Sequence, residues 1–305
     1  MATATWSSFC AHANDAEFRV WGKKISDQLQ LMSEVAITAD TGQINWATAT
    51  RPAPPGDAGY EIYKMNDTQV TSAPIWFRLD YGTGTAAATP RMKITVGTGS
   101  NGAGTITGPS TATPMVEKIT GTLAPSSPST SYTSYLCVDE GFIGFIGWAS
   151  GAGASAIAQQ GFIIARTNNV DATAAHNGNG VVVVPNQSNA GCMYIHIKTG
   201  ADLATSFVGA QSATSDAVSI PNAETTTLIG GNAQLYPCFH ACGFAQPMAT
   251  IGAYLKSEKT LFTTEAIVPV GTTARTIMYV GAQVGATSVR NAAAVNNWGL
   301  WMLWQ

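Results

Sequence analysis

Three groups of residues in this chain have the types and spacing that chemistry needs. The first is VGTGSNGAG, where Gly97, Gly99 and Gly102 spell G-x-G-x-x-G behind the strand-like run 92–95. Such a string holds a pyrophosphate only where its last glycine opens a helix whose N-terminus faces the charge. Here Gly102 is followed by AGTITGPSTATP, and Pro109 and Pro114 do not suit that helix. No Lys-Ser or Lys-Thr pair follows the glycines, so a P-loop is excluded too. In a chain with 31 glycines the string reads as a turn between two strands, and no nucleotide cofactor is expected.

The second group is Cys238-Phe239-His240-Ala241-Cys242. Residues two apart on a strand point the same way, so Cys238, His240 and Cys242 could offer a sulfur and nitrogen shell. Cys192 and His196 share a parity on their own run. Structural zinc sites, however, take ligand pairs from turns with C-x2-C-like spacing, and ligands two apart on a flat strand diverge. Small buried thiols are the preferred reading, with no metal and no other cofactor.

The third group is acidic. Asp139-Glu140 is an adjacent acid pair whose members would face opposite sides of a strand and cannot easily serve one bond. Glu61 and Asp80 are expected to pair across strands with Arg78 or Lys64. No G-x-S-x-G elbow, H-E-x-x-H or EF-hand loop occurs, and the chain is read as a non-enzyme. The run from Asn168 to Gly180 is rich in Asn and Gly. Its Asn168, Asn169, Asp171, His176, Asn177 and Asn179 would form a host-contact loop or a weak calcium site, against the plainer reading of a surface turn. Trp298, Trp301 and Trp304 would make a sugar platform if exposed. Apolar residues on both faces of that strand favour burial in the sheet or between subunits.

The elements that would position these groups are nearly all strands. One helix is expected from Asn14, with Glu17 completing a capping box and Phe18, Trp21, Ile25, Leu29 and Met32 forming one apolar stripe suited to docking. Alternating or apolar runs at 60–64, 75–81, 92–96, 135–138, 142–148, 161–166, 181–184, 192–198, 235–244, 250–256, 265–270, 274–280 and 298–304 read as strands. The expected fold is mainly β: antiparallel β-sandwich or jelly-roll-like domains with one N-terminal amphipathic helix. Pro and Ser density marks 122–131 as a linker or long loop. It separates a docking region of helix and small β elements, 1–121, from a larger β-sandwich domain, 132–305.

Composition restricts the functions open to such a chain of 305 residues. Charged residues are 11%, against an ordinary share of about a quarter. An uncharged polar surface can be buried against a partner without the desolvation cost of charges, which favours assembly. A net charge of -3 without basic runs argues against nucleic acid. The N-terminus lacks the pattern of a signal peptide, and five cysteines in that setting read as reduced thiols. The uncharged stretch 141–165 is long enough for a membrane span. Its Gly, Ser and Gln residues instead suggest two buried strands joined by a loop, with no membrane insertion.

The runs ADTGQINWATATRPAPP and AGYEIYKMNDTQVTSAPIWFRLDYGTG, with the preceding DAEFRVWGKKISDQL, resemble uncharacterised virion structural proteins of tailed bacteriophages. The resemblance covers roughly the first hundred residues and carries no catalytic motif. It implies a particle component, assembled in the bacterial cytoplasm, that associates with itself (a trimer being one form) and with other virion proteins. A tail, baseplate or neck appendage, fibre-like or host-contacting and able to meet a surface glycan, is the preferred assignment. A capsid decoration protein is the alternative, and a carbohydrate-binding module a further one.

Overall fold

The computed structural model describes residues 1–9, 14–84, 90–108, 118–122, 131–149, 159–169, 180–185, 192–196, 235–241, 247–257, 265–270, 273–283 and 298–304. The chain opens with strand β1 (Ala2–Phe9) and helix α1 (Asp15–Gln30). Strands β2 (Val35–Ile37), β3 (Gly56–Met65), β4 (Trp76–Thr83), β5 (Pro90–Gly97), β6 (Gly99–Ser100), β7 (Ile106–Thr107) and β8 (Lys118–Thr122) follow. The rest comprises β9 (Ser131–Asp139), β10 (Phe142–Ala149), β11 (Gln159–Asn169), β12 (Gly180–Pro185), β13 (Cys192–His196) and β14 (Leu235–Ala241). It ends with β15 (Pro247–Ser257), β16 (Glu265–Val270), β17 (Thr273–Gln283) and β18 (Trp298–Leu303).

The expected mainly β architecture is present, and the described pairings are antiparallel. A five-stranded sheet runs β2-β3-β4-β5-β8. An 11-stranded sheet runs β1-β9-β10-β11-β15-β18-β17-β16, with β12 and β13 joining at β11 and β14 at β15. The apolar stretch considered as a membrane span forms the hairpin β10–β11, in register from Phe142↔Ala165 to Trp148↔Gln159. Among the described residues no helix is long and apolar enough to cross a membrane.

Helix α1 forms where its capping box places it. Asn14 Oδ1 accepts the Glu17 N–H at 3.0 Å, and Asn14 Nδ2 donates to Glu17 Oε1 at 3.3 Å. This satisfies one of the orphan donors of the first turn, while Asp15 and Glu17 suit the positive end of the helix dipole. Lys23 and Asp27, one turn apart, pair at 2.6 Å on the exposed side. Gly22 serves a close approach: a Cβ there would lie 2.0 Å from the Trp46 ring, so its absence lets that indole rest against the helix.

The five-stranded sheet sorts its residues by parity. Glu61, Tyr63, Phe77, Leu79, Tyr81, Met92, Ile94 and Val96 share one face through the registers of β3, β4 and β5. That face packs with α1 and with Leu136, Val138, Ile143, Phe145, Phe162 and Ile164 of the larger sheet in one core. Phe77 and Phe162 meet there at 6.2 Å between ring centroids, and Trp6 of β1 stacks on Phe145 at 6.0 Å. The opposite face of β9–β11 is buried as well, at Cys137, Ile146 and Ile163. On that side Trp304 meets Tyr135 edge-on at 5.5 Å.

Among the described residues one core draws on both sides of the division expected at 122–131. Strand β1 leaves the N-terminal region and pairs with β9 along its whole length, from Ala2↔Val138 to Phe9↔Ser131. The physical reason is its alternation: Ala2, Ala4 and Trp6 need an apolar layer on one face only, which the larger sheet provides. Thr122 closes β8 and Ser131 opens β9, so both ends of the expected linker are strand residues; 123–130 lie outside the described residues.

Candidate functional site

The most elaborate polar centre is built on Glu61, which points from β3 into the core and is 3% exposed. Its Oε1 accepts from Ser26 Oγ of α1 at 2.7 Å and from Trp46 Nε1 at 3.0 Å. Its Oε2 accepts from Tyr63 OH at 2.7 Å and Tyr81 OH at 2.8 Å. Gln30 Nε2 in turn supports Ser26 Oγ at 2.8 Å. Trp21, Trp46, Phe18 and Tyr81 pack ring against ring around this group, with centroids 4.9 to 5.9 Å apart. Burial, and then the Glu61 charge, push the Tyr63 and Tyr81 phenols well above their ordinary range. Both tyrosines therefore stay neutral donors to the carboxylate.

A second buried acid joins the two sheets. Asp67 receives Arg166 Nε at 2.6 Å and Nη2 at 2.8 Å, a two-pronged pair, while Arg166 Nη1 donates to the Ala73 carbonyl at 2.6 Å. The side chains are 1% and 0% exposed for Arg166 and Asp67. Nearby, the Thr68 N–H donates to Glu140 Oε1 at 2.9 Å, a further tie to the turn after β9.

The other face of the small sheet is charged. Asp57 takes both Arg91 and Lys93, and Asp80 takes Arg78 from its own strand. Burial pushes the Asp57 carboxyl up, but the bonds from Lys93 and Arg91 outweigh it and hold it below its ordinary value. For Asp80 burial wins, and its carboxyl lies above the ordinary value despite Arg78. The Arg78 guanidinium also lies 4.0 Å from the centre of the Tyr60 ring.

The glycine string lies at the rim of this face and is the expected turn. β6 and β7 form a hairpin, Gly99↔Thr107 and Ser100↔Ile106, and Gly102 at φ 77° takes the left-handed conformation of its tip. Asp40 organises it by accepting from Ser100 Oγ, the Gly104 N–H and Thr38 Oγ1. Burial raises the Asp40 carboxyl, but these bonds prevail and leave it below its ordinary value. The remaining loop donors are taken up within the turn, the Gly102 N–H by Ser100 Oγ and the Ala103 and Thr105 N–H groups by Asn101 Oδ1.

The docking stripe is corrected by the structure. Phe18, Trp21, Ile25, Leu29 and Met32 are 0 to 5% exposed and belong to the chain's own core, because the small sheet offers them the apolar face they need. Trp304, 5% exposed, likewise packs within the chain; Trp298 and Trp301 lie on β18 opposite Ser257 and Tyr254 of β15. Asn168 and Asn169 are not loop residues but the last of β11, paired with Ala249 and Met248. Asp171, His176, Asn177 and Asn179 lie outside the described residues. Cys238 and His240 lie on β14, where the register with β15 shifts between Pro237 and Phe239; Cys242 lies outside the described residues. Among the described residues no three of His, Cys, Asp and Glu are grouped to hold a metal ion.

Sequence reasoning misplaced Glu61 and overlooked Asp67, Arg166 and Asp40. Among the described residues Glu61 pairs with no cation; it meets neutral donors because its parity is that of Tyr63, on the core side. That parity was the available signal: in YEIYK the acid shares a face with an aromatic. Chemically, these centres orient and bind parts of the chain to one another. Neither a protein-family model nor a curated protein sequence matches the chain.

Proposed function

We propose that this chain is a non-enzymatic structural component of a tailed-phage virion, a tail, baseplate or neck appendage that associates with itself and with other particle proteins. The observation that supports this reading is the use of the buried acids. Glu61 and Asp67 each have both oxygens engaged by groups of the chain itself, which makes them ties between elements; Asp57, at the surface, is engaged in the same way by Arg91 and Lys93. Internal ties of this kind suit a protein that transmits load, and a surface low in charge suits one that is covered by neighbours. The resemblance of the first hundred residues to virion proteins points the same way.

The alternative, a capsid decoration protein, would be favoured by a flat apolar contact surface in the N-terminal region. The α1 stripe, the apolar surface expected there, is enclosed in the core. Quantitative mass spectrometry of purified particles, scaled to the major capsid protein, tests the assignment. A few copies to a few dozen per particle is the expected result. Hundreds would support the decoration alternative, and absence from particles would overturn the proposal.

A further inference from the structure

Among the described residues β1 is the terminal strand of the larger sheet, bonded to β9 on one side and to no strand on the other. Its residues, ATATWSSF, include no charge and no proline. Natural edge strands are usually protected from pairing by charges, proline, a bulge or a covering element. The first three are absent here, since the register with β9 runs through without a shift. The described cover comes from α1, which approaches β1 and whose exposed Lys24 donates Nζ to the Ser7 carbonyl at 2.9 Å. In an antiparallel pair the N–H and C=O of one residue point the same way, and the direction alternates along the strand. A Ser7 carbonyl reached from α1 thus places the main-chain groups of Thr3, Thr5 and Ser7 on the open edge.

We propose that this edge pairs with β1 of a second copy of the chain, antiparallel, about a two-fold axis at Thr5. In that register Thr3 opposes the partner's Ser7, Thr5 opposes its own counterpart, and Ala4 opposes the partner's Trp6. The strand is its own complement, which is why the occupant is a second copy and not a foreign strand. Hydroxyl residues meet hydroxyl residues on the exposed face, a small side chain meets a large one on the other, and no like charges meet. The three pairs whose main-chain groups lie on the edge exchange two N–H···O=C bonds each. Ser7 leaves Lys24 for the partner's Thr3 N–H, and the two-fold contact closes on itself at the β1 edge. The pairing gives the self-association proposed above a surface. It rests on β1 alone, so a chain absent from virions would sink the former reading and leave this one standing.

Sedimentation equilibrium of the full chain tests it. The wild type is expected at twice 31.7 kDa. Thr5→Pro removes an N–H that faces outward, so it should give a folded monomer with an unchanged melting temperature. Ala4→Pro, whose N–H belongs to the β9 ladder, should instead lower the melting temperature; equal melting of the two variants would overturn the assigned edge. Thr5→Lys sets two ammonium groups opposite each other at the axis and should weaken association at least about tenfold even if Thr5→Pro does not fold. A wild type that stays monomeric at about 100 μM overturns the proposal. So does an odd-numbered oligomer, or a dimer that survives Thr5→Lys in the folded state.

Discussion

Glu61 and Asp67 are both enclosed, the whole residues 3% and 4% exposed, and the chain stabilises them in opposite ways. Glu61 is surrounded by four neutral donors drawn from α1, the segment around Trp46 and two strands of the small sheet. Asp67 is met by one guanidinium that arrives from 99 residues further along the chain. The first arrangement spreads one charge over many dipoles and fixes the helix and the Trp46 segment on one sheet. The second concentrates two charges in one contact and fixes one sheet on the other. A carboxylate with dispersed neutral donors cannot be replaced by an apolar group without stranding every donor, whereas an ion pair can be replaced as a pair. The small sheet's centre is thus the less substitutable of the two.

Glu61→Leu is expected to have the largest effect. It leaves Ser26, Trp46, Tyr63 and Tyr81 without their acceptor in a closed aromatic surround, and partial rebonding among them still leaves a loss of about 5 kcal/mol. Urea unfolding of the variant would measure it, and a loss below about 1 kcal/mol would refute the view that Glu61 organises the centre. Arg166→Met should cost about 3–5 kcal/mol, because Asp67 is left charged and enclosed. The comparison sharpens when Asp67→Leu is added: the double variant should regain most of that loss, as no charge then remains inside. If the double variant is no more stable than Arg166→Met alone, the bond from Arg166 to the Ala73 carbonyl, not the ion pair, is the important part.

How far these two centres were legible in the sequence follows from the range of the interactions. Helix α1 was readable because its capping box and stripe are local, and Asn14, Glu17 and the five apolar residues stand as their spacing requires. The hairpin β10–β11 was readable because uncharged runs flanking a Gly/Ala/Ser loop have few other solutions. β1 escaped notice, since ATATWSSF lacks the bulky alternation that marks a strand and becomes one by pairing with residues more than a hundred positions away. Asp67 and Arg166 were invisible for the same reason: neither NDTQ nor ARTN contains a hint of its partner. The docking role of the α1 stripe failed differently. A pattern shows that a face is apolar but not whether a neighbour or the chain's own sheet will cover it, and here the sheet does.

The smallest effect separates the two centres by pH. Tyr63→Phe removes one of the four donors to Glu61 and should cost about 1.5 kcal/mol at neutral pH. The wild type has a further signature there. Burial first, and then the Glu61 charge, raise the Tyr63 and Tyr81 phenols well above the ordinary value of about 10. In the unfolded chain these phenols ionise near that ordinary value while in the folded chain they stay protonated. Above it the unfolded state binds fewer protons than the native one, so stability falls as pH rises. Their contribution is fully present below a pH of about 10 and is lost progressively above it. Tyr63→Phe with Tyr81→Phe removes both groups and should flatten this part of the alkaline slope, whereas the Arg166→Met, Asp67→Leu variant should retain it. Denaturation midpoints collected between neutral pH and about pH 11 would decide. An alkaline slope unchanged by the two phenylalanines would mean that the phenols ionise alike in both states, and that the Glu61 centre is open to water.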